Sequence, residues 1–145
     1  MPSLRKILES KGYSSVKLGV ISTGHLHCNA IINGIPGDFI LDTGASSSCI
    51  DLAVADYFSL LPEDSDVRAA GAGASNMLTK SSQDNKIEIG EWTQKKMKLV
   101  IFDLSHVNTA LENHDSEKVH GILGADVLEK SKAVIDYKSK RLYLK

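Results

Sequence analysis

The chain has 145 residues, 42% of them hydrophobic, which is enough to bury one core without disulfides. Its 17 basic and 18 acidic residues leave a formal net charge of −1, so the overall charge does not attract nucleic acid or anionic lipid. There is no apolar run of about 18 residues, and residues 1–11 lack the apolar stretch of a signal peptide. We therefore expect a single domain over residues 1–145, with no nucleic-acid or membrane partner and, by default, a cytoplasmic location.

The two cysteines, Cys28 and Cys49, are too few to hold together a small secreted scaffold. Both lie among apolar residues, where a free thiol behaves as a small hydrophobic side chain. We expect two reduced cysteines in the core, with a single disulfide between them as the alternative.

A short helix is predicted at the start of the chain. Leu4, Ile7 and Leu8 recur at helical spacing, and Gly12 follows as a C-terminal stop. The pattern indicates an amphipathic N-terminal helical extension over residues 1–12.

Strand character follows this helix. The predicted strands of this part of the chain are residues 16–21, 25–32 and 39–42. The dipeptide Asn33-Gly34, between the second and the third, is typical of a two-residue hairpin turn. Residues 51–61 are predicted to form a short helix, with Asp51 as its N-cap and Pro62 just past its end.

The middle of the chain begins with a stretch of small and polar residues, 63–76, which favours a mobile loop or a hairpin tip over a packed element. Residues 87–89 alternate in polarity and predict a strand. Residues 90–91 can turn the chain, and residues 97–102 supply the next strand.

The last third of the chain predicts two more helices and a hairpin. The helices are residues 106–112 and 125–130, and the hairpin strands are residues 133–137 and 141–144. An apolar run that ends in Ile122-Leu123-Gly124 lies between the two helices. Together these elements predict a mostly-β, barrel-like domain with two or three short helices.

The most informative segment is residues 39–46, in which an apolar strand delivers the carboxylate of Asp42 directly into a tight turn at Thr43 and Gly44. Asp42 follows three apolar residues, and burying its charged side chain without a partner would cost free energy. The structural alternative is that Asp42 ends an ordinary strand and accepts hydrogen bonds from the amides of the turn.

The segment from Ile40 to Ser46 resembles the active-site turn of pepsin-like and retropepsin-like aspartic peptidases. In that family an aliphatic pair followed by glycine opens a short helix downstream, and Ile122-Leu123-Gly124 matches this second motif. The paired motifs are more specific than Asp-Thr-Gly alone, and the resemblance spans most of the chain. It implies the retropepsin-like acid-protease barrel.

The resemblance also implies an aspartic endopeptidase that acts on peptide or protein substrates, with Asp42 as its catalytic residue. Such enzymes use two carboxylates that share one proton, and they need no cofactor and no metal. Asp-Thr-Gly occurs once in the chain, so the resemblance implies a homodimer that brings together one Asp42 from each copy. Thr43 would join the two turns through its hydroxyl, Gly44 would let the chain turn beside the substrate, and Ala45 completes the turn.

A flap that closes over a bound peptide is expected around Gly71 and Gly73, because lids need mobile segments of small residues. The chain also departs from the retroviral pattern. Retroviral subunits carry an acidic residue after Asp-Thr-Gly-Ala and an arginine after the downstream glycine, where this chain has Ser46 and Ala125. We therefore expect a differently built dimer contact, and a closer likeness to cellular and bacterial single-domain retropepsin-like proteins.

Other polar residues have weaker functional interpretations. His25 and His27 share one face of a predicted strand. One interpretation is a metal site with a third ligand, and the other is an ordinary half-exposed strand face, which explains them as well. We expect His120 to be a surface histidine, and both Trp92 and the serines at 46–48 to be structural.

Two rival functions stay open. One is a peptide-binding or dimerisation module that keeps the fold with weak or no peptidase activity. The other is a monomeric domain that works only beside a different partner chain. A substitution of Asp42 would distinguish the enzyme from the module. Measurement of the mass in solution would show whether the chain is a monomer.

Overall fold

The computed structural model describes residues 2–71, 74–114 and 117–145, with the backbone alone for 64–71 and 74–78. The helices are α1 (Leu4–Ser10), α2 (Ser105–Asn113) and α3 (Ala125–Lys130), with a 3-10 turn at Leu52–Val54. The strands are β1 (Ser14–Lys17), β2 (Gly19–Val20), β3 (Leu26–Ile32), β4 (Ile35–Leu41), β5 (Cys49–Asp51), β6 (Glu63–Gly71), β7 (Ala74–Ile89), β8 (Trp92–Phe102), β9 (Gly121–Leu123), β10 (Val134–Asp136) and β11 (Arg141–Leu144).

The larger sheet closes into a barrel. Its strand order is β2-β3-β4-β9-β5-β8-β7-β6, and β3 also pairs with β7. This additional pairing, with Ile31 opposite Glu88 and Ile32 opposite Ile87, makes a closed ring of the six strands from β3 through β4, β9, β5 and β8 to β7. The expected mostly-β, retropepsin-like barrel with a few short helices is confirmed.

The β3–β4 hairpin shows how the local sequence builds the barrel wall. Asn33 and Gly34 both have positive φ, 51° and 83°, as the predicted two-residue turn requires. Alternate residues of β3 point into the main core, where Cys28 and Ile32 are fully buried.

A second, smaller hydrophobic cluster lies on the other side of β4 and β9, under α2. Ile40 and Ile122 belong to this cluster, together with Leu111 of α2, whereas Leu41 and Leu123 belong to the main core. Both faces of these strands are therefore covered where they pair, which explains why residues 39–41 and 122–123 are continuously apolar and do not alternate.

A separate three-stranded sheet joins the two ends of the described chain. Its order is β1-β11-β10, so β11 has a neighbour on each side. Ser14 pairs with Leu144 and Lys17 with Arg141 in the β1–β11 ladder, and β10 pairs antiparallel with the other side of β11. The predicted C-terminal hairpin is therefore present, with β1 added to it.

Two predicted elements in the first half differ from the structure. The helix predicted over 51–61 is wrong, because Asp51 ends β5 and only a 3-10 turn and further turns follow it. Asp51 is nevertheless the cap, since its side chain accepts from the backbone N–H of Ala53. The strand predicted at 16–21 is split at Leu18, whose side chain is buried in the main core between β1 and β2.

Residues 63–76 were predicted to be a mobile loop or a hairpin tip, and their described part is mostly paired strand. The backbone of Glu63–Gly71 forms β6, which pairs antiparallel with the first part of β7. The strand predicted at 87–89 is accordingly the end of the much longer β7, Ala74–Ile89. Pairing with a neighbouring strand supplies the order that small residues lack by themselves.

The remaining predicted elements agree with the structure to within a few residues. Helix α1 ends at Ser10 before Gly12, whose φ is 92°, and helix α3 has the predicted bounds. Both cysteines are free and buried. None of the helices among the described residues is long and apolar enough to cross a membrane.

Candidate active site

Asp42 lies immediately after β4, at the start of a turn formed by residues 42–45, here called the Asp42 turn. The backbone N–H of Asp42 donates to the carbonyl oxygen of Leu123 at 2.9 Å, so the last bond of the β4–β9 pair fixes this residue. The Gly44 N–H donates to Asp42 Oδ1 at 2.8 Å, and the Ala45 N–H donates to the Asp42 carbonyl at 3.2 Å. The Asp42 side chain is exposed and held in one orientation.

This arrangement contains the contact that the structural alternative required, a carboxylate bonded to an amide of its own turn. An Asx-type bond alone does not distinguish a catalytic aspartate from a strand-ending one. The catalytic role of Asp42 therefore stays a prediction.

The two predicted motifs lie side by side. Strands β4 and β9 are parallel, with Ile40 opposite Ile122 and Leu41 opposite Leu123. Beyond β9, the N–H of Ala125 donates to the carbonyl oxygen of Ala45 at 2.7 Å. The start of α3 is thereby joined to the end of the Asp42 turn.

Gly124 permits this close approach. A Cβ atom at Gly124 would lie 2.4 Å from the carbonyl oxygen of Ala45, which is closer than a side-chain carbon can come to backbone. The glycine of the Ile-Leu-Gly motif therefore has a packing reason: it lets α3 begin directly against the Asp42 turn.

A buried hydrogen-bond network behind the turn was not predicted. The Ser48 hydroxyl donates to Asp126 Oδ1 at 2.7 Å and accepts from the N–H of Gly124 at 2.8 Å. The backbone N–H of Ser48 also donates to the Asp126 carboxylate at 3.0 Å. The sequence offered one indication of this contact, an acidic residue in the first turn of the helix after the second motif, but nothing that named Ser48 as its partner.

A cavity of about 320 Å³ opens beside Asp42, between the barrel and α2. Its apolar lining comes from β4, β9 and α2, and its polar lining includes two histidines. The residues around it are Thr23, His25, Ile40, Asp42, His106, Val107, Ala110, Leu111 and Ile122. Sequence reasoning missed the contribution of α2, because its distance from Asp42 in sequence gives no sign of contact.

The flap stays a prediction. Gly71 is the last residue of β6, and its backbone pairs with that of Ala74, the first residue of β7. Gly73 lies outside the described residues.

The histidines have local partners. His25 Nδ1 lies 2.7 Å from the hydroxyl oxygen of Thr23, and His27 Nε2 lies 3.1 Å from Asp38 Oδ1. In the part of the chain that the structure describes, no group of three or more potential ligands is arranged to hold a metal ion.

The expectation of a surface His120 is wrong. Its ring is only partly exposed, stacks on the Tyr57 ring with centroids 6.0 Å apart, and meets the edge of Phe58 at 5.4 Å. Its Nδ1 accepts from the backbone N–H of Asp38 at 2.9 Å. His120, the residue before β9, therefore connects that end of β9 to β4. It does not line the cavity beside Asp42.

Comparisons with known proteins agree with this geometry. The model of a family described as aspartyl protease matches residues 28–127. None of the curated proteins matches the chain. Many solved structures are similar in fold, and three of them are described below. Their sequence identities are too low to show more than the fold.

A retropepsin-like aspartic protease from Rickettsia conorii is 19% identical, with 91% of this chain and 90% of that chain covered and a TM-score of 0.57. The EIAV protease complexed with the inhibitor HBY-793 is 20% identical, with 77% and 92% covered and a TM-score of 0.56. The retroviral protease-like domain of Ddi1 from Leishmania major is 16% identical, with 83% and 87% covered and a TM-score of 0.55.

Proposed function

The chain belongs to the aspartyl protease family, and on that premise we propose that it is one subunit of an aspartic endopeptidase. Two copies would bring their Asp42 carboxylates together and hydrolyse peptide bonds. The observation that carries this proposal is the position of Asp42: an exposed carboxylate, fixed by Gly44 and by the β9 backbone, on the only Asp-Thr-Gly of the chain.

The chemistry follows from placing two like charges in contact. Mutual repulsion favours one shared proton, so one Asp42 is ionised and the other is protonated. The ionised carboxylate accepts a proton from a bound water, whose oxygen attacks the peptide carbonyl carbon. The protonated carboxyl donates to the carbonyl oxygen as negative charge develops there. The carboxyl group that took the proton from water then donates it to the amide nitrogen, and the C–N bond breaks. The hydroxyl formed from the carbonyl oxygen returns its proton to the other carboxylate, which restores the starting pair.

The cavity under α2 supports a substrate role for the same site. Asp42 is part of its lining, so a side chain next to the bond being cut has an apolar space to enter. Ile40 and Ile122 form its floor, and Val107 and Ala110 of α2 form its outer wall. Burial of an apolar side chain there contributes binding energy at roughly 25 cal/mol per Å² of area removed from water.

A peptide-binding module without peptidase activity is the second candidate. It is favoured by the residues that stand in place of the retroviral ion pair, Ser46 and Ala125, because a weaker dimer would leave each Asp42 alone. Ser46 is exposed, and Ala125 contributes its backbone N–H to the turn.

The test is cleavage of a peptide library between neutral and mildly acidic pH by the purified chain and by Asp42→Asn. Asparagine keeps an oxygen that can accept from the Gly44 N–H, so the turn is retained while the acid–base chemistry is removed. Cleavage that depends on Asp42, with unchanged fold and mass in solution, supports the peptidase. Equal peptide binding by both forms, with no cleavage by either, supports the module.

A further inference from the structure

Two histidines of the cavity beside Asp42, here called the α2 cavity, are not used by the chemistry above. His25 lies between β2 and β3, and His106 lies in the first turn of α2. Both line the cavity, whose floor is formed by Ile40 and Ile122. A mostly apolar space therefore presents two imidazole rings to the side chain that occupies it.

One ring nitrogen of His25 has a partner and the other has none. Nδ1 lies 2.7 Å from the hydroxyl oxygen of Thr23, which holds the ring in place. Nε2 has no hydrogen-bond partner among the residues that the structure describes. It carries a hydrogen when the Thr23 hydroxyl donates to Nδ1, and it is an acceptor when Nδ1 donates to the hydroxyl. A ligand group that both donates and accepts can bond to Nε2 in either case.

His106 is also exposed, and its ring makes no hydrogen bond with another described residue. It lies close enough to Asp103 to interact with it. Hydrogen bonds from Ser105 hold the pKa of the Asp103 carboxyl below its usual range, and the His106 ring adds to this effect. Asp42 is a second carboxylate at the same cavity. A negatively charged ligand would therefore meet repulsion from two acidic groups as well as attraction to the imidazoles.

We propose that the α2 cavity selects a glutamine side chain of the substrate, next to the bond being cut, with His25 and His106 as specificity-determining residues. The inference rests on the proposed function, which takes this cavity as the place of a substrate side chain. The two methylene groups of glutamine pack on Ile40 and Ile122, and its amide lies against the imidazoles. The amide oxygen accepts and the amide nitrogen donates, so the group pairs with His25 Nε2 whichever nitrogen carries the hydrogen.

Two other side chains have the same reach and lack one of these properties. Methionine has no strong donor or acceptor, so it displaces water from the imidazole nitrogens without replacing the hydrogen bonds. Glutamate, when ionised, can only accept, and its charge is repelled by Asp42 and Asp103. Glutamine is therefore the side chain that the cavity is expected to bind best.

The experiment is a binding titration with three labelled peptides that have a reduced, uncleavable bond at their centre. They differ only in the residue before that bond, which is glutamine, methionine or glutamate. Fluorescence anisotropy gives the dissociation constant of each. The unchanged chain is expected to bind the glutamine peptide about tenfold more tightly than the methionine peptide, the effect of about one net hydrogen bond. It is expected to bind the glutamate peptide about threefold more weakly than the glutamine peptide.

Variants of the two histidines assign the preference to their nitrogens. His25→Phe and His106→Phe each keep a planar ring and remove the nitrogens, and each should lower the glutamine-to-methionine ratio by about threefold. Both together should abolish the preference. His25→Gln supplies an amide in place of the imidazole and should keep most of it.

His114→Phe is the matched control, because His114 is exposed just after α2 and does not line the cavity. It should leave the ratio unchanged. Since all three histidines are exposed, the unfolding transition of each variant verifies its folded state.

Four results overturn the inference: equal binding of the methionine peptide, tighter binding of the glutamate peptide, a preference that survives both phenylalanine substitutions, or no binding of any peptide. The peptidase proposal is judged separately, by Asp42-dependent cleavage of the same peptides with ordinary bonds. Binding that prefers glutamine without cleavage keeps the selectivity and removes the peptidase. Asp42-dependent cleavage without a preference for glutamine keeps the peptidase and removes the selectivity.

Discussion

Ser48 and Asp126 lie 78 residues apart in sequence and join the segment after the Asp42 turn to α3, with the Ser48 hydroxyl donating to Asp126 Oδ1 at 2.7 Å. The same hydroxyl oxygen accepts from the Gly124 N–H at 2.8 Å. Ser48 is 1% exposed, so water cannot replace either partner. One buried side chain thus supports both motifs from behind.

Replacement of Ser48 by alanine should lower the free energy of unfolding by about 1–3 kcal/mol, because the Gly124 N–H and the Asp126 carboxylate each lose a buried partner. Urea denaturation measures this change. Ser46→Ala is the matched control at an exposed position and should change stability by less than about 0.5 kcal/mol. Equal effects of the two substitutions would contradict a supporting role for Ser48.

Gly124→Ala should destabilise the fold by about 1–3 kcal/mol, since the new Cβ would meet the Ala45 carbonyl oxygen at 2.4 Å and force α3 away from the Asp42 turn. Gly19→Ala is the matched control, because its Cβ would have only ordinary contacts, at 3.6 Å from the His27 side chain. Thermal unfolding of both variants tests the difference. A stable Gly124→Ala protein with unchanged activity would show that the turn and the helix need not touch.

Mixing the unchanged chain with the Asp42→Asn variant should lower its peptidase activity, because each active dimer needs two intact carboxylates and a mixed dimer has only one. With equal amounts of the two forms and free exchange, only about half of the intact subunits pair with one another, so cleavage falls to about half. Asp56→Asn, an exposed aspartate outside the α2 cavity, is the control and should not lower cleavage. Activity that stays constant on mixing would refute a shared pair of Asp42 carboxylates.

Ala110→Leu should narrow the cavity under α2 and reduce cleavage of substrates with large side chains more than of those with small ones. Ala110 lines this cavity, whereas its neighbour Thr109 is exposed and does not. A change of one methylene group in an apolar pocket alters kcat/KM by about 10- to 200-fold. The ratio of kcat/KM for large and small side chains, compared with that of Thr109→Leu, is the measurement. An identical ratio in the two variants would place substrate side chains elsewhere.

Stability should fall as the pH rises above about 9. Burial raises the pKa of the Cys28 thiol, and of the Cys49 thiol, from 9.0 to about 12. Between these values the unfolded chain loses thiol protons that the folded chain retains, so ionisation favours unfolding. Each thiol contributes a slope of up to about 1.4 kcal/mol per pH unit in this window and none well below pH 9.

The Cys28→Ala and Cys49→Ala double variant provides the comparison. It loses some stability at every pH because it leaves cavities, but its stability should decline less steeply between pH 9 and 11. Denaturant titrations of both proteins at several pH values measure the slopes. Parallel slopes would mean that the thiols ionise equally in the folded and unfolded chain.

The sequence was sufficient where a local pattern has one structural solution. Asn33-Gly34 predicts a turn with two positive φ angles, and the structure has it. Gly124 was recognised as part of a motif, and its physical reason, the 2.4 Å approach to Ala45, became visible only in three dimensions.

Other elements could not be predicted because neighbours determine them. Strand β6 contains small residues with no period, and its order comes from pairing with β7. Asp51 predicted a cap, but the strand that ends at this residue is set by its parallel pairing with β8. The contact of Ser48 with Asp126 and the wall that α2 gives the cavity depend on tertiary packing, which no local window contains.

The sheet that pairs β1 with β11 can form only after both strands have been synthesised. Leu144, the partner of Ser14, is synthesised 130 residues after it. At about 5–20 residues per second, β1 waits about 7–26 seconds for a strand to pair with. A nascent chain that has not reached β11 cannot complete the sheet. The sheet is thereby delayed until β11 has been synthesised, and a chain that stops before Arg141 lacks the central strand of this sheet.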